Sequence, residues 1–148
     1  MITYQVERYM DAIPEIVPYY ELHYAELASN KEIELEPDYE MYEKMDALGL
    51  LHLVTARSDD ELIGYYIAFV HGALHYRSSL TAHTDIYYLR KDFRSGFVGI
   101  NFFKFVEKSL KEKGVQRIYM MTKVDSDKSA IWKRLGYVEK EIVFTKMI

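Results

Sequence analysis

The stretch Leu89-Arg90-Lys91-Asp92-Phe93-Arg94-Ser95-Gly96-Phe97-Val98-Gly99-Ile100 carries cations and two glycines between an aromatic, β-branched run and an amphipathic one. This pattern predicts that a strand ends here and a helix begins. The first-turn amides of a helix have no intrahelical partner and its dipole is positive there, so an anion is favoured. Gly96 and Gly99 let a ligand approach the backbone closely, and Arg94 and Lys91 add charge. A pyrophosphate suits such a site. The same glycines would equally serve a tight turn and a close helix–sheet contact.

Acid–base chemistry has a candidate on the preceding strand. Alternation places His83, Asp85 and Tyr87 on one face. A buried aspartate beside aromatic rings has a raised pKa, which suits a general base; the alternative is that Asp85 pairs with a cation or caps the loop. His52, His71, His75 and His83 are scattered over expected strands and a loop, where the one His-x-x-x-His spacing, His71 to His75, does not put two rings on one helix face, and they read as packing or surface residues rather than metal ligands. No metal is expected.

These residues need elements to position them. A short strand at 2–6 is followed by a helix from Tyr9 to about Ala28, with Ile13, Ile16, Val17, Tyr20, Tyr24 and Leu27 at helical spacing. Pro14 and Pro18 are expected to kink or split it, and Asn30 to stop it. Asp38 is an N-cap candidate for a second helix that runs through Met41, Met45 and Leu48 to Gly49. Strands are expected at 50–57 and 61–71, joined by Ser58-Asp59-Asp60, and at 84–89. A helix over 98–113 has the inner stripe Val98, Phe102, Phe105, Val106 and Leu110. A strand at 118–122, a short helix at 127–135 and a last strand at 137–146 complete the order β-α-α-β-β-β-α-β-α-β. This is an α/β domain with a mixed central sheet flanked by helices, and residues 1–148 form one unit.

Composition limits the function classes. Of 148 residues, 49% are hydrophobic and 28% charged, which is globular composition; 14 Tyr and 7 Phe give an aromatic-rich core. Zero Cys excludes disulfides, thiolate metal sites and cysteine nucleophiles. A formal charge of -4 exerts no overall pull on a phosphate backbone, so nucleic acid is not the expected partner. The charged N-terminal ten residues resemble neither a signal nor an anchor, and no apolar run approaches a membrane span, so a cytoplasmic protein is expected.

The segment Phe93 to Gly99 resembles the acyl-CoA-binding signature of the GNAT superfamily of N-acetyltransferases, Arg/Gln-x-x-Gly-x-Gly/Ala, at the matching strand–loop–helix position. Arg94 matches the leading Arg and Gly99 the final Gly; Phe97 stands at the usual middle Gly, and Gly96 has moved one place earlier. Gly114-Val115-Gln116-Arg117-Ile118-Tyr119 is similar to the family's helix-to-strand link. Ser129 to Tyr137, with Gly136-Tyr137, resembles its closing Tyr-x-x-x-Gly-Phe segment. The short chain is similar to small phage-encoded members in particular.

The resemblance implies that acetyl-CoA is the co-substrate. Its pantetheine amides would pair with the free edge of the fourth strand at Tyr87, Tyr88 and Leu89, and its pyrophosphate would take amides from Ser95, Gly96, Phe97, Val98 and Gly99 with help from Arg94. The thioester carbonyl would point at an N–H near Tyr87 or Tyr88. The family's acid, a Tyr four residues before the Gly-Phe pair, is replaced by Trp132, whose indole donates a hydrogen bond to the cofactor but transfers no proton. Tyr137, Tyr119 or water would substitute, or the thiolate leaves unaided. Asp85 is similar in place to water-relaying acids of relatives.

The first two helices would wall the acceptor site, so Tyr19, Tyr20 and Tyr24 serve either acceptor recognition or the core. Glu32, Glu34, Glu36, Asp38 and Glu40 attract a basic acceptor or form a solvated loop. The function implied is acetyl transfer to a primary amine of a small molecule or peptide, by direct attack in a ternary complex. The alternatives are an acyl-CoA-binding protein with little catalysis, which Trp132 and Phe97 motivate, and a homodimeric interaction protein without ligand. Homodimers are common in the family.

Overall fold

The computed structural model describes residues 1–27 and 32–148. The expected stop at Asn30 lies outside the described residues, as does the side chain of Leu27. The elements are β1 (Ile2–Glu7), α1 (Tyr9–Leu27), α2 (Tyr39–Ala47), β2 (Leu51–Ser58), β3 (Glu61–Ala73), β4 (Tyr76–Leu89), a 3-10 turn (Lys91–Phe93), α3 (Val98–Glu112), β5 (Val115–Tyr119) and α4 (Ser129–Arg134). They build one five-stranded sheet in chain order, antiparallel from β1 to β4, with β5 parallel to β4. None of the described helices is long and apolar enough to cross a membrane.

Strand alternation sorts the sheet residues into two cores. Val54, Tyr66, Ala68 and Ala82 pack against Phe102, Phe103, Val106 and Leu110 of α3 and Trp132 of α4. On the other face Leu53, Tyr65, Ile67 and Tyr88 pack against Tyr9, Ile13, Ile16 and Tyr20 of α1. Covering of both faces explains why β2 and β3 are near-continuous apolar runs. Arg57 locks β1, β2 and α1 together, with its Nε 2.9 Å from Glu7 and Nη2 2.8 Å from Glu15.

Local signals act as their chemistry dictates. The Asp38 carboxylate accepts from the Met41 amide at 2.9 Å and caps α2, and Gly49 follows α2 at φ +71°. Asp59 and Asp60 turn the β2–β3 hairpin at φ +48° and +69°.

Four expectations need correction. Pro14 and Pro18 do not split α1, because burial of Ile13, Ile16 and Tyr20 against the sheet holds the helix through both. β5 spans Val115–Tyr119 rather than 118–122, because its ladder with β4 opens at Leu80–Val115 and closes at His83–Tyr119. β4 begins at Tyr76 rather than Thr84, since a tight turn at 74–75 lets β3 pair with a much longer return strand. The final strand over 137–146 does not form. The chain after Tyr119 turns away through a Lys123–Ser126 bridge, so β5 offers five residues only, and Val138, Ile142, Val143 and Phe144 remain exposed. A strand-like pattern supplies side chains; a ladder also needs an opposing backbone.

Candidate active site

The site is built where β4 and β5 part. Their parallel ladder ends at His83–Tyr119, and from Thr84 to Leu89 the strand pairs only with β3. That stretch therefore presents unpaired backbone groups on its β5 side, a ready edge for an extended amide-bearing ligand. Two side-chain contacts cross the opening among the described residues. The Tyr87 hydroxyl donates to the Met121 carbonyl at 3.0 Å, and the Thr84 hydroxyl reaches the Met120 sulfur at 3.5 Å.

A β-bulge sets which side chains enter this opening. Ile67 faces Ile86 while Ala68 faces Thr84, so Asp85 is an extra residue on β4. Thr84 consequently bonds Tyr66 on the α3 side at 3.1 Å, whereas Asp85 turns to Tyr42 of α2 and Ile86 joins the α1-side core. Tyr87 returns to the α3 side, packed edge-to-face on Phe103 and Trp132. The expected common face of His83, Asp85 and Tyr87 is thus corrected: the bulge reverses the alternation between Asp85 and Tyr87. His83 stacks instead between His71 and Tyr119, at centroid distances of 4.9 and 4.5 Å.

Asp85 stands at a cavity of about 480 Å³ between β4, α1, α2 and the segment after β5. Solvent reaches it through the cavity, yet crowding by protein raises its carboxyl above the ordinary range, with the Tyr42 hydroxyl donating to it and pulling the other way. Tyr20, on the same cavity wall, has its buried hydroxyl beside that of Tyr9.

His23, which the sequence reading did not single out, is buried on that wall with Nδ1 3.1 Å from the Tyr65 hydroxyl. Burial pulls its pKa down to about 4, so the ring is neutral at physiological pH. The helical stripe of α1 could have revealed it, but a histidine in that stripe looks the same whether it faces core or cavity.

The loop that follows β4 places its residues as the phosphate reading requires in part. Phe97 precedes α3 without a side-chain cap, so the first-turn amides have no side-chain acceptor there, and Gly96 adopts φ +69°. Ser95, Gly96 and Phe97 are exposed, and Val98 is half-buried with its carbonyl accepting from Tyr4. A Cβ on Gly99 would meet Ile131 and Leu89 at ordinary contact distance, so close packing with α4 explains that glycine's size without demanding it. Arg94 differs from the expectation. Its guanidinium bonds Glu26 of α1 at 2.6 Å and the Leu89 carbonyl at 2.6 Å, and lies over the Tyr88 ring. That pairing holds Glu26 below the usual carboxylate range and ties the end of α1 to the loop.

Trp132 is buried against Phe103 and Tyr87, with its indole N–H unpartnered among the described residues. Tyr137 lies behind it, its ring 6.0 Å from Trp132 and its hydroxyl toward Glu107, where burial and that carboxylate push its pKa up. Tyr137 and Asp85 are therefore on opposite faces of the sheet. Tyr137, one of the substitutes expected for the family's acid, packs instead in the α3-side core beside Glu107.

No protein-family model matches the sequence, and no curated protein matches it. Solved structures do match in fold. An aminoglycoside acetyltransferase from an uncultured soil metagenomic sample, in complex with sisomicin, aligns over 99% of this chain and 95% of that one at TM-score 0.76 and 14% identity. A ribosomal-protein-alanine N-acetyltransferase from Brucella melitensis biovar Abortus 2308 aligns over 100% and 99% at TM-score 0.72 and 15% identity. A predicted acetyltransferase from Clostridium acetobutylicum, with acetyl-CoA, aligns over 99% and 96% at TM-score 0.72 and 12% identity. The chain has the fold of the GNAT acetyltransferases.

Proposed function

We propose that this chain is an acetyl-CoA-dependent N-acetyltransferase that acts on a primary amine by direct attack in a ternary complex. The observation that carries the reading is the parting of β4 and β5 at His83–Tyr119, which frees the β4 edge beside a carboxylate-bearing cavity.

The residues present fit the co-substrate. The unpaired edge of Thr84 to Leu89 offers amide and carbonyl groups to pantetheine, and the uncapped start of α3 offers amides to a pyrophosphate. Bound acetyl-CoA supplies an activated acetyl group. Tyr87, Leu89 and Trp132 line the α3 side of the passage, while Tyr88 packs on the α1 side and positions Arg94. Arg94 must exchange Glu26 for phosphate if it is to contribute.

Asp85 holds the acceptor ammonium and then takes its proton, leaving a lone pair for attack; its raised pKa makes it a better base than an ordinary aspartate. Tyr42 orients that carboxylate. Backbone N–H groups of β4 stabilise the developing oxyanion. Water protonates the departing thiolate, because Trp132 has no transferable proton and Tyr137 lies behind it.

Thermal unfolding with acetyl-CoA, and separately with ATP, tests the reading. Saturation near 100 times Kd adds about 2.7 kcal/mol, or roughly 5–11 °C for a domain this size. A shift confined to CoA compounds is expected. No shift would overturn the reading, and a shift without turnover on any amine would convert it to acyl-CoA binding alone.

A further inference from the structure

The cavity around Asp85 distinguishes among amines. Resting on the acetyltransferase reading, we infer that the acceptor is a small monoamine with an aromatic or other apolar body, and not a polycation such as an aminoglycoside or a polyamine.

Asp85 is the single carboxylate among the described residues lining the cavity, so one ammonium finds a counter-ion there. The neighbouring wall is made of rings: Tyr20, Tyr24 and Tyr42 lie along it and suit an ammonium and a flat apolar body. Leu35, Ile86 and Met121 extend the apolar lining. The volume of about 480 Å³ is that of a small-molecule pocket.

Charge completes the argument. Lys123 and Lys128 also line the cavity; at His23 burial lowers the imidazole pKa, the nearby Glu26 opposes it, and Lys123 and Arg94 add to it. His23 itself is neutral at pH 7 and adds no counter-charge. A second or third ammonium on the acceptor would find no second carboxylate among the described residues lining the cavity, and Lys128 beside it. A polycation would thus be repelled where a monoamine with an uncharged or acidic far end is not.

The test compares acetylation of 2-phenylethylamine and tyramine with that of spermidine and kanamycin, with acetyl-CoA binding measured by calorimetry alongside. The monoamines should exceed the polycations in kcat/KM by on the order of tenfold, the scale of repulsion between solvent-screened charges. The double variant Lys123→Glu, Lys128→Glu should shrink that ratio at least about tenfold, since it reverses the charge of two exposed side chains. Equal or better use of spermidine or kanamycin by the natural sequence would overturn the inference. So would acetyl-CoA binding with none of these monoamines acetylated, an outcome that leaves the cofactor reading standing. Absence of acetyl-CoA binding would instead remove the reading on which the inference rests.

Discussion

Lowering the pH from 7.5 to 5.0 should destabilise this protein by about 4 kcal/mol, through two buried imidazoles. His52, with Nε2 2.8 Å from the Ser109 hydroxyl between β2 and α3, and His23, beside Tyr65, are both buried. Desolvation brings each pKa down from 6.5 to about 4, and nearby Lys113 acts in the same sense on His52. The sign follows directly. Between pH 6.5 and about 4 the unfolded chain binds these protons and the folded chain does not, so stability falls with falling pH. At pH 5.0 an unfolded histidine of pKa 6.5 is almost fully charged, and the difference in proton binding is worth about 2 kcal/mol per ring.

Urea unfolding at both pH values measures the loss, and His52→Gln keeps a partner for Ser109 while removing one titration. The variant should lose about 2 kcal/mol less than the natural sequence over the same interval. An unchanged loss in the variant would show that His52 does not carry the effect. Glu7 acts elsewhere on the scale: its hydrogen bonds to Arg57, Thr55 and Gln5 outweigh burial and lower its pKa. Its contribution is complete above pH 4.5 and disappears only as pH falls through that lowered value.

Two further outcomes separate site from scaffold. Asp85→Asn should lower kcat by roughly 100-fold or more with little change in acetyl-CoA affinity, as for loss of a general base; stopped-flow turnover and calorimetry check this, and unaltered turnover would exclude Asp85 as the base. Gly64→Ala should destabilise by about 1–3 kcal/mol in thermal unfolding, because its Cβ would lie 2.8 Å from the Tyr88 carbonyl oxygen and 2.9 Å from Leu89 in the neighbouring strand.

What the sequence determined by itself was local. Asp38 before Met41, Gly49 after α2, the Asp59-Asp60 turn, the stripe of α3 and the glycine-bearing loop at its start are read from neighbours a few residues apart, and their conformations follow from backbone hydrogen bonding and steric preference. The apolar alternation of β2 and β3 likewise announced a sheet covered on both faces. Tertiary structure decided the rest. Whether Asp85 shares a face with Tyr87 depends on one extra residue opposite Ile67, and strand alternation in β4 alone carries no mark of it. Arg94 is paired to Glu26, 68 positions away, and Tyr42 reaches Asp85 across 43. The strand-like residues after Tyr137 find no ladder because β5 turns away at Tyr119. Each of these outcomes depends on a partner distant in the chain, and side-chain type specifies what a residue can bond without specifying which partner folding brings within reach.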